Sequence, residues 1–275
     1  MTAKFSISKT VILLLLAAGV VVILYPLSWM LASSFKSYDE IFGSVWGLPS
    51  KWLFSNYATA WSKGVANYFV NSGIVTISTI AGVVLLASLC AFGLSRYSFK
   101  FDRAALLFVM GGMMLNPQVC LVPLYILLQQ THLHNTLLAL TLPYIAFRLP
   151  LIVLLIRSYF LGVSKEIEES AKIDGCSAFQ IYWRIFMPMS TPIILTSTIL
   201  IAYYAWNEFL FAIIFIDSEK YKTIPAGLMS FKDALSTDWG VLLAGLVMSA
   251  LPLILLFIFM QKYFIRGIAA GSVKG

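Results

Sequence analysis

Six mostly apolar stretches, at 11–32, 68–94, 104–129, 135–160, 188–216 and 239–263, dominate the chain, and each is long enough to cross a bilayer. Among lipid tails a backbone must satisfy its own polar groups, so runs of this length are expected as helices. The sequence therefore predicts an all-α membrane protein with six transmembrane helices, forming a single transmembrane domain over residues 1–275. Composition agrees. Hydrophobic residues make up 60% and charged residues 11%, against roughly a quarter charged in a soluble domain.

The first run is too long for the apolar core of a signal peptide, about 7 to 15 residues, and is read as a retained span. Orientation follows from the basic residues. With the amino terminus inside, Lys4, Lys9, Arg96, Lys100, Arg103, Arg157, Lys165, Lys172, Arg184, Lys262, Arg266 and Lys274 fall on the inner side. Lys36, Lys51, Lys63, Lys220, Lys222 and Lys232 fall outside. This two-to-one bias places both termini in the cytoplasm. It also accounts for the net charge of +7, since no basic helix or aromatic-interleaved basic patch points to nucleic acid.

Residues 33–67 are polar and carry Trp46, Trp52 and Trp61, side chains that favour a membrane interface, with a short helix expected near residues 57–61. The second span holds Gly73, Ser78, Gly82 and Ala87, small residues suited to close helix packing. Pro117 and Pro123 interrupt the third, and a broken helix in lipid must face a cavity or other protein. Two charges lie within spans, Arg148 in the fourth and Glu208 in the fifth. Each is costly there unless paired or facing a watery cavity. Their similar estimated depth predicts an ion pair; direct contact with a substrate is the other reading. Cys90, Cys120 and Cys176 are far apart, and His132 and His134 sit in a short loop, so neither disulfides nor a metal site is expected.

One polar insert stands out, Ser164 to Pro192. Ser164 is placed as an N-cap, Glu166 and Glu168 lie in the first turn, and Glu168 with Lys172 forms an i,i+4 pair. Asp174-Gly175 stops this helix, and Ser177 with Gln180 has capping-box spacing for a second one running through Trp183 to Met187-Pro188. The expected element is helix, glycine turn, helix.

Within it, Glu169-Ser170-Ala171, Gly175, Ile185 and Met187-Pro188 resemble the EAA loop of ABC importer permeases, with Ser170 and Met187 where that family usually has Ala and Leu. NSGIVTI at 71–77, AWNEFLFAIIFI at 205–216 and QKYFIRGIAAGSVKG at 261–275 extend the resemblance over nearly the whole chain. They narrow it to the second membrane subunit of maltose-type carbohydrate importers. In that group the tail reads closer to GLTAGAVKG, from which Ile268, Ala269 and Ser272 depart.

The resemblance implies a type I ABC importer permease fold, with a permease core over 68–265 and a cytoplasmic coupling helix in the loop 164–187. It implies contact with the ATPase through Glu168, Glu169, Ala171, Asp174, Gly175, Ile185 and Pro188, and a tail reaching between the ATPase subunits. The implied partners are a second permease subunit in a heterodimer, an ATPase dimer, an extracytoplasmic sugar-binding protein and the sugar itself, in a bacterial inner membrane. No phosphate loop of the form GxxxxGK followed by Ser or Thr is present, so ATP is expected on a separate polypeptide and no cofactor on this one. No catalytic constellation is seen either, and the chain is not expected to be an enzyme. Asn116, Tyr203, Tyr204, Trp206, Asn207 and Glu208, aromatics and hydroxyl-binding groups, are the candidates for a translocation path. An ion-coupled secondary transporter is the alternative, but it calls for inverted repeats and mid-membrane carboxylates, of which only Glu208 is present.

Overall fold

A computed structural model describes residues 7–231 and 237–272, with side chains up to Gln261 in the last helix. Among the described residues every regular element is helical. Among the described residues four helices are long and apolar enough to cross a membrane, within 11–33, 55–96, 138–161 and 239–261, and a pair bent by 76° between 178–189 and 191–207 passes the same test when taken together as one broken span. The chain divides into two units, Met1–Ala66 with Leu228–Ala250 and Asn67–Gly227 with Leu251–Gly275. Lys4 and Lys232, counted above for orientation, and the tail end 273–275 lie outside the described residues.

In the first unit, α1 (Ile7–Ser33) presents large apolar side chains such as Leu15, Val22 and Ile23 to its surroundings over most of its length. The polar stretch that follows is tightly tied. α2 (Tyr38–Gly43) opens with a capping box between Ser37 and Glu40, and α3 (Ser55–Ala60) supplies the short helix expected there. Lys36, counted as an outer-loop charge, is buried and donates from Nζ to the carbonyls of Ser44 at 2.9 Å and Val45 at 3.4 Å. The Asn56 amide bridges the carbonyls of Ser34 and Lys36. Each of these bonds satisfies a backbone group that a loop would otherwise leave open.

The second unit is built on α4 (Ala66–Arg96), 31 residues without a break. Gly82 lets it approach α7 (Leu138–Leu161) so closely that a Cβ there would stand 2.4 Å from Ile145 Cδ1. One buried cluster joins Val83, Ala87, Ala91 and Phe92 of α4 to Ile152, Val153, Ile156 and Phe160 of α7. Near its start, α4 grips the loop around 219–224. Tyr68 donates to Glu219 Oε2 at 2.7 Å, Asn71 Nδ2 donates to the carbonyls of Lys220 and Lys222 at 2.8 and 2.9 Å, and Ser72 Oγ accepts the Ile224 N–H.

The stretch expected as the third span is two short helices, α5 (Asp102–Gly112) and α6 (Leu121–Gln130), separated by a loop that contains Pro117. Neither crosses a bilayer alone, since ten or eleven residues rise about 15–17 Å. Pro123 does no damage: it sits in the first turn of α6, where its missing N–H has no partner to lose.

Candidate functional site

The insert folds as its residues predict. Ser164 Oγ accepts the Glu166 N–H at 3.2 Å and starts α8 (Lys165–Ile173). At the other end Gly175 N–H donates to Lys172 O at 3.1 Å and Cys176 N–H to Ala171 O at 2.9 Å. These two bonds form a Schellman closure, and Gly175 takes the left-handed conformation it requires, with φ +79°. Ser177 and Gln180 then form the capping box of α9 (Ala178–Ile181). A wider turn over Tyr182–Phe186 leads into α10 (Met187–Met189), with Pro188 at its start, and the chain bends at Ser190 into α11 (Thr191–Asn207).

One face of this element is fastened to α4 of the same unit. Tyr182 and Ser88 of α4 share a hydroxyl hydrogen bond at 2.8 Å, and Phe92 meets the rings of Tyr182 and Phe186 at 5.4 and 5.0 Å. The opposite face carries Glu169, Asp174 and Gly175, all exposed, together with Ile173, Phe179 and Trp183. Ile185 packs partly into the core and Pro188 is exposed.

Glu168, grouped with Glu169 as an ATPase contact in the sequence reading, is turned inward. Its side chain is 7% exposed, and its carboxylate pairs with Lys172 Nζ at 2.7 Å and lies 3.8 Å from Arg96 Nε. The hydrogen bond that Lys172 donates to the Glu168 carboxylate raises the Lys172 pKa above the usual lysine value. Ala171, three residues on and so on the same helix face, is buried beside it. Helical periodicity therefore splits the Glu168-Glu169 pair, one turned in and one turned out.

The second set of candidates surrounds a break in the fifth span. α11 ends at Asn207, Glu208 is extended at φ −67° and ψ 124°, and α12 (Leu210–Phe215) begins two residues later. Glu208 thus caps a helix start. Its carboxyl accepts the Phe211 N–H at 2.9 and 3.1 Å on its two oxygens, the Ala212 N–H at 3.3 Å, and the Tyr144 hydroxyl at 2.5 Å.

The expected ion pair between Arg148 and Glu208 is not formed. The Arg148 guanidinium carbon lies 3.4 Å from the centroid of the Tyr204 ring instead, and Tyr204 meets Tyr144 edge-on at 5.5 Å. The two charges share a tyrosine pair without touching. The physical reason is the break: a continuous helix would leave Glu208 without backbone donors, whereas here three N–H contacts satisfy it and aim it at Tyr144.

Tyr203 and Asn207 are exposed and linked by Asn207 Nδ2 to Tyr203 O at 2.8 Å. Trp206 is buried, edge-on to Phe69 at 5.3 Å. Asn116 is exposed in the loop after α5, where its Oδ1 accepts the Gln118 N–H, and is not joined to the others. Sequence reasoning missed Arg96 and Tyr144. Both are legible only once α4, α7 and the insert are brought together.

His134 stacks edge-on with Tyr125 and faces Asp217 at 3.7 Å, and the three cysteines are free. Among the described residues no group of His, Cys, Asp or Glu is placed to hold a metal ion.

Comparison with known proteins gives a consistent result. Residues 83–270 match the family described as binding-protein-dependent transport system inner membrane component. The probable ABC transporter permease protein YurM of Bacillus subtilis is 55% identical over 99% of this chain and 91% of its own. The arabinooligosaccharides transport system permease protein AraQ of the same organism is 31% identical over 99% of this chain and 98% of its own. Among solved structures, a bacterial ABC transporter involved in the import of the acidic polysaccharide alginate superposes with a TM-score of 0.84 at 23% identity, covering 96% of this chain and 100% of that one.

Proposed function

This chain belongs to the binding-protein-dependent transport system inner membrane components, the ABC transporter permeases, and on that premise we propose that it is the sugar- or oligosaccharide-translocating permease subunit of an importer whose ATPase is a separate polypeptide. The residues 164–187 couple it to that ATPase. The observation that carries this reading is the two-faced helix, Schellman turn and helix, whose inner face is fastened to α4 while Ile173, Phe179 and Trp183 are presented outward beside Glu169. Exposed apolar side chains rimmed by charge are the mark of a docking surface.

Residues 68–265 make up the permease core, and 102–130 cross as a broken span, giving six crossings with both termini in the cytoplasm. A second permease subunit completes the channel, a pair of ATPase subunits binds the coupling surfaces, and an extracytoplasmic binding protein delivers the sugar. The chain holds no ATP and catalyses no reaction itself. Sugar is favoured as cargo by the uptake systems for which relatives such as AraQ are named. The polar break at Glu208, with Tyr203 and Asn207 exposed at the end of α11 just before it, offers hydroxyl-binding groups close together along the chain.

The test is reconstitution of the complex with its binding protein and ATPase in proteoliposomes. ATP-dependent uptake of a labelled oligosaccharide is expected. Failure of any ATPase to co-purify, or uptake driven by an ion gradient without ATP, would overturn the reading.

A further inference from the structure

Arg96, the last residue of α4, is 97% buried at its side chain, its relative exposure being 3%. A guanidinium has five donors and cannot shed its charge, so burial demands partners on several sides. Here they come from three different elements. Nη2 donates to the carbonyls of Phe160 and, at 2.7 Å, Val163 at the end of α7. The guanidinium carbon lies 4.7 Å from the centroid of the Phe186 ring in the second half of the insert. Nε faces Glu168 of α8 at 3.8 Å, an ion-pair distance but too long for a hydrogen bond.

Arg157 of α7 braces the same corner from the other side, donating to Leu94 O at 3.2 Å. Next to this hub is an opening of about 420 Å³ lined by Arg96, Arg157, Lys165, Glu168, Glu169 and Lys172. Side chains do not fill the space between α8 and the end of α4. On that side α8 meets the end of α4 through the charge contact, while Ala171 on its inner face packs into the cluster of Phe92 and Phe160.

We infer that Glu168 and Arg96 are positioning residues that pass movement of the insert to α4. Of the two adjacent glutamates, Glu169 is exposed at the rim of that opening, within reach of a partner, while Glu168 faces inward and holds the joint through which the partner's motion reaches the membrane helices. A buried ion pair with slack at 3.8 Å, next to open volume, can shift without breaking, whereas the carbonyl bonds keep Arg96 fixed to α7. The inference rests on the reading of 164–187 as the coupling element.

The test uses the whole complex in proteoliposomes, wild type beside Glu168→Gln and Arg96→Lys, with sugar uptake and ATP hydrolysis measured in the same vesicles and ATPase content measured on gels. Each variant is expected to keep its full ATPase content and binding-protein-stimulated hydrolysis, while sugar moved per ATP falls by about fivefold or more, the size of a modest coupling term. The double variant should be no worse than the poorer single one, because both remove the same joint. Loss of ATPase from Glu168→Gln would make Glu168 a docking residue and overturn the inference. So would a proportional fall in uptake and hydrolysis, unchanged coupling, or failure of both variants to assemble, which would reduce the joint to a structural prop. A wild-type complex that lacked ATPase would instead refute the proposed function.

Discussion

Glu208 should be worth more through Tyr144 than through Arg148. The Tyr144 hydroxyl is donated to Glu208 at 2.5 Å and its side chain is fully buried, 1% exposed, so exchanging the carboxylate for the weaker amide acceptor of Gln leaves that hydroxyl poorly bonded where water cannot reach it. Hydrogen bonds between helices in a membrane contribute roughly 1–2 kcal/mol in model systems and less on average in folded proteins. A carboxyl acceptor with three donors aimed at it belongs at the upper end, so a coupling of about 1–2 kcal/mol is expected between Tyr144→Phe and Glu208→Gln. The backbone share is separate: losing an N-cap costs about 1 kcal/mol, and the amide of Gln can replace only part of it. Arg148 makes no ion pair with Glu208 and lies over the Tyr204 ring, so the cycle with Arg148→Met should couple more weakly to Glu208→Gln. The assay is thermal unfolding of the detergent-solubilised complex across both four-member cycles, in which contributions from subunit assembly cancel. Strictly additive shifts for the Tyr144 cycle, or stronger coupling through Arg148 than through Tyr144, would refute the reasoning.

Gly175→Val should cost roughly 1–2 kcal/mol, the strain of a left-handed residue with a Cβ, and lower sugar uptake and ATPase pull-down together. Gly175→Asn should be milder, because a Cβ there would meet open space and only φ is at issue. Glu169→Lys should reduce the ATPase recovered with the complex while leaving the melting temperature of the permease unchanged, since Glu169 is exposed. Gly82→Val should destabilise the α4–α7 contact by about 1–3 kcal/mol, and Ile145→Ala in the same chain should recover part of that loss of melting temperature by clearing the 2.4 Å approach.

The parts that were readable in the sequence are those set by neighbours along the chain. The Ser164 cap, the Glu168–Lys172 pair, the stop at Gly175 and the Ser177–Gln180 box all involve residues within a few positions of one another. Pro117 announced the break in 102–130 for the same reason, by removing a local donor. What could not be read depended on contacts between distant residues. The direction of Glu168 is set by Arg96, 72 positions earlier. The fate of Glu208 turned on a helix break that neither proline nor glycine marks in the sequence. An acidic residue just ahead of a short apolar run was the available clue, since anions favour helix starts. Depth counting along an unbroken helix paired Arg148 with the wrong partner.

α4 is anchored at both extremities: Tyr68, Asn71 and Ser72 hold the loop around 219–224, and Ser88 and Arg96 hold the insert. These two sets of grips are locked in rotational phase by the uninterrupted backbone between them. A single residue inserted between Ser72 and Ser88 would turn one set against the other by about 100°, while a four-residue insertion would overshoot a full turn by only about 40° and add about 6 Å of length. The spacing between the two grips is thus constrained by angle before it is constrained by distance, and this helix should tolerate a four-residue change in its count better than a one-residue change.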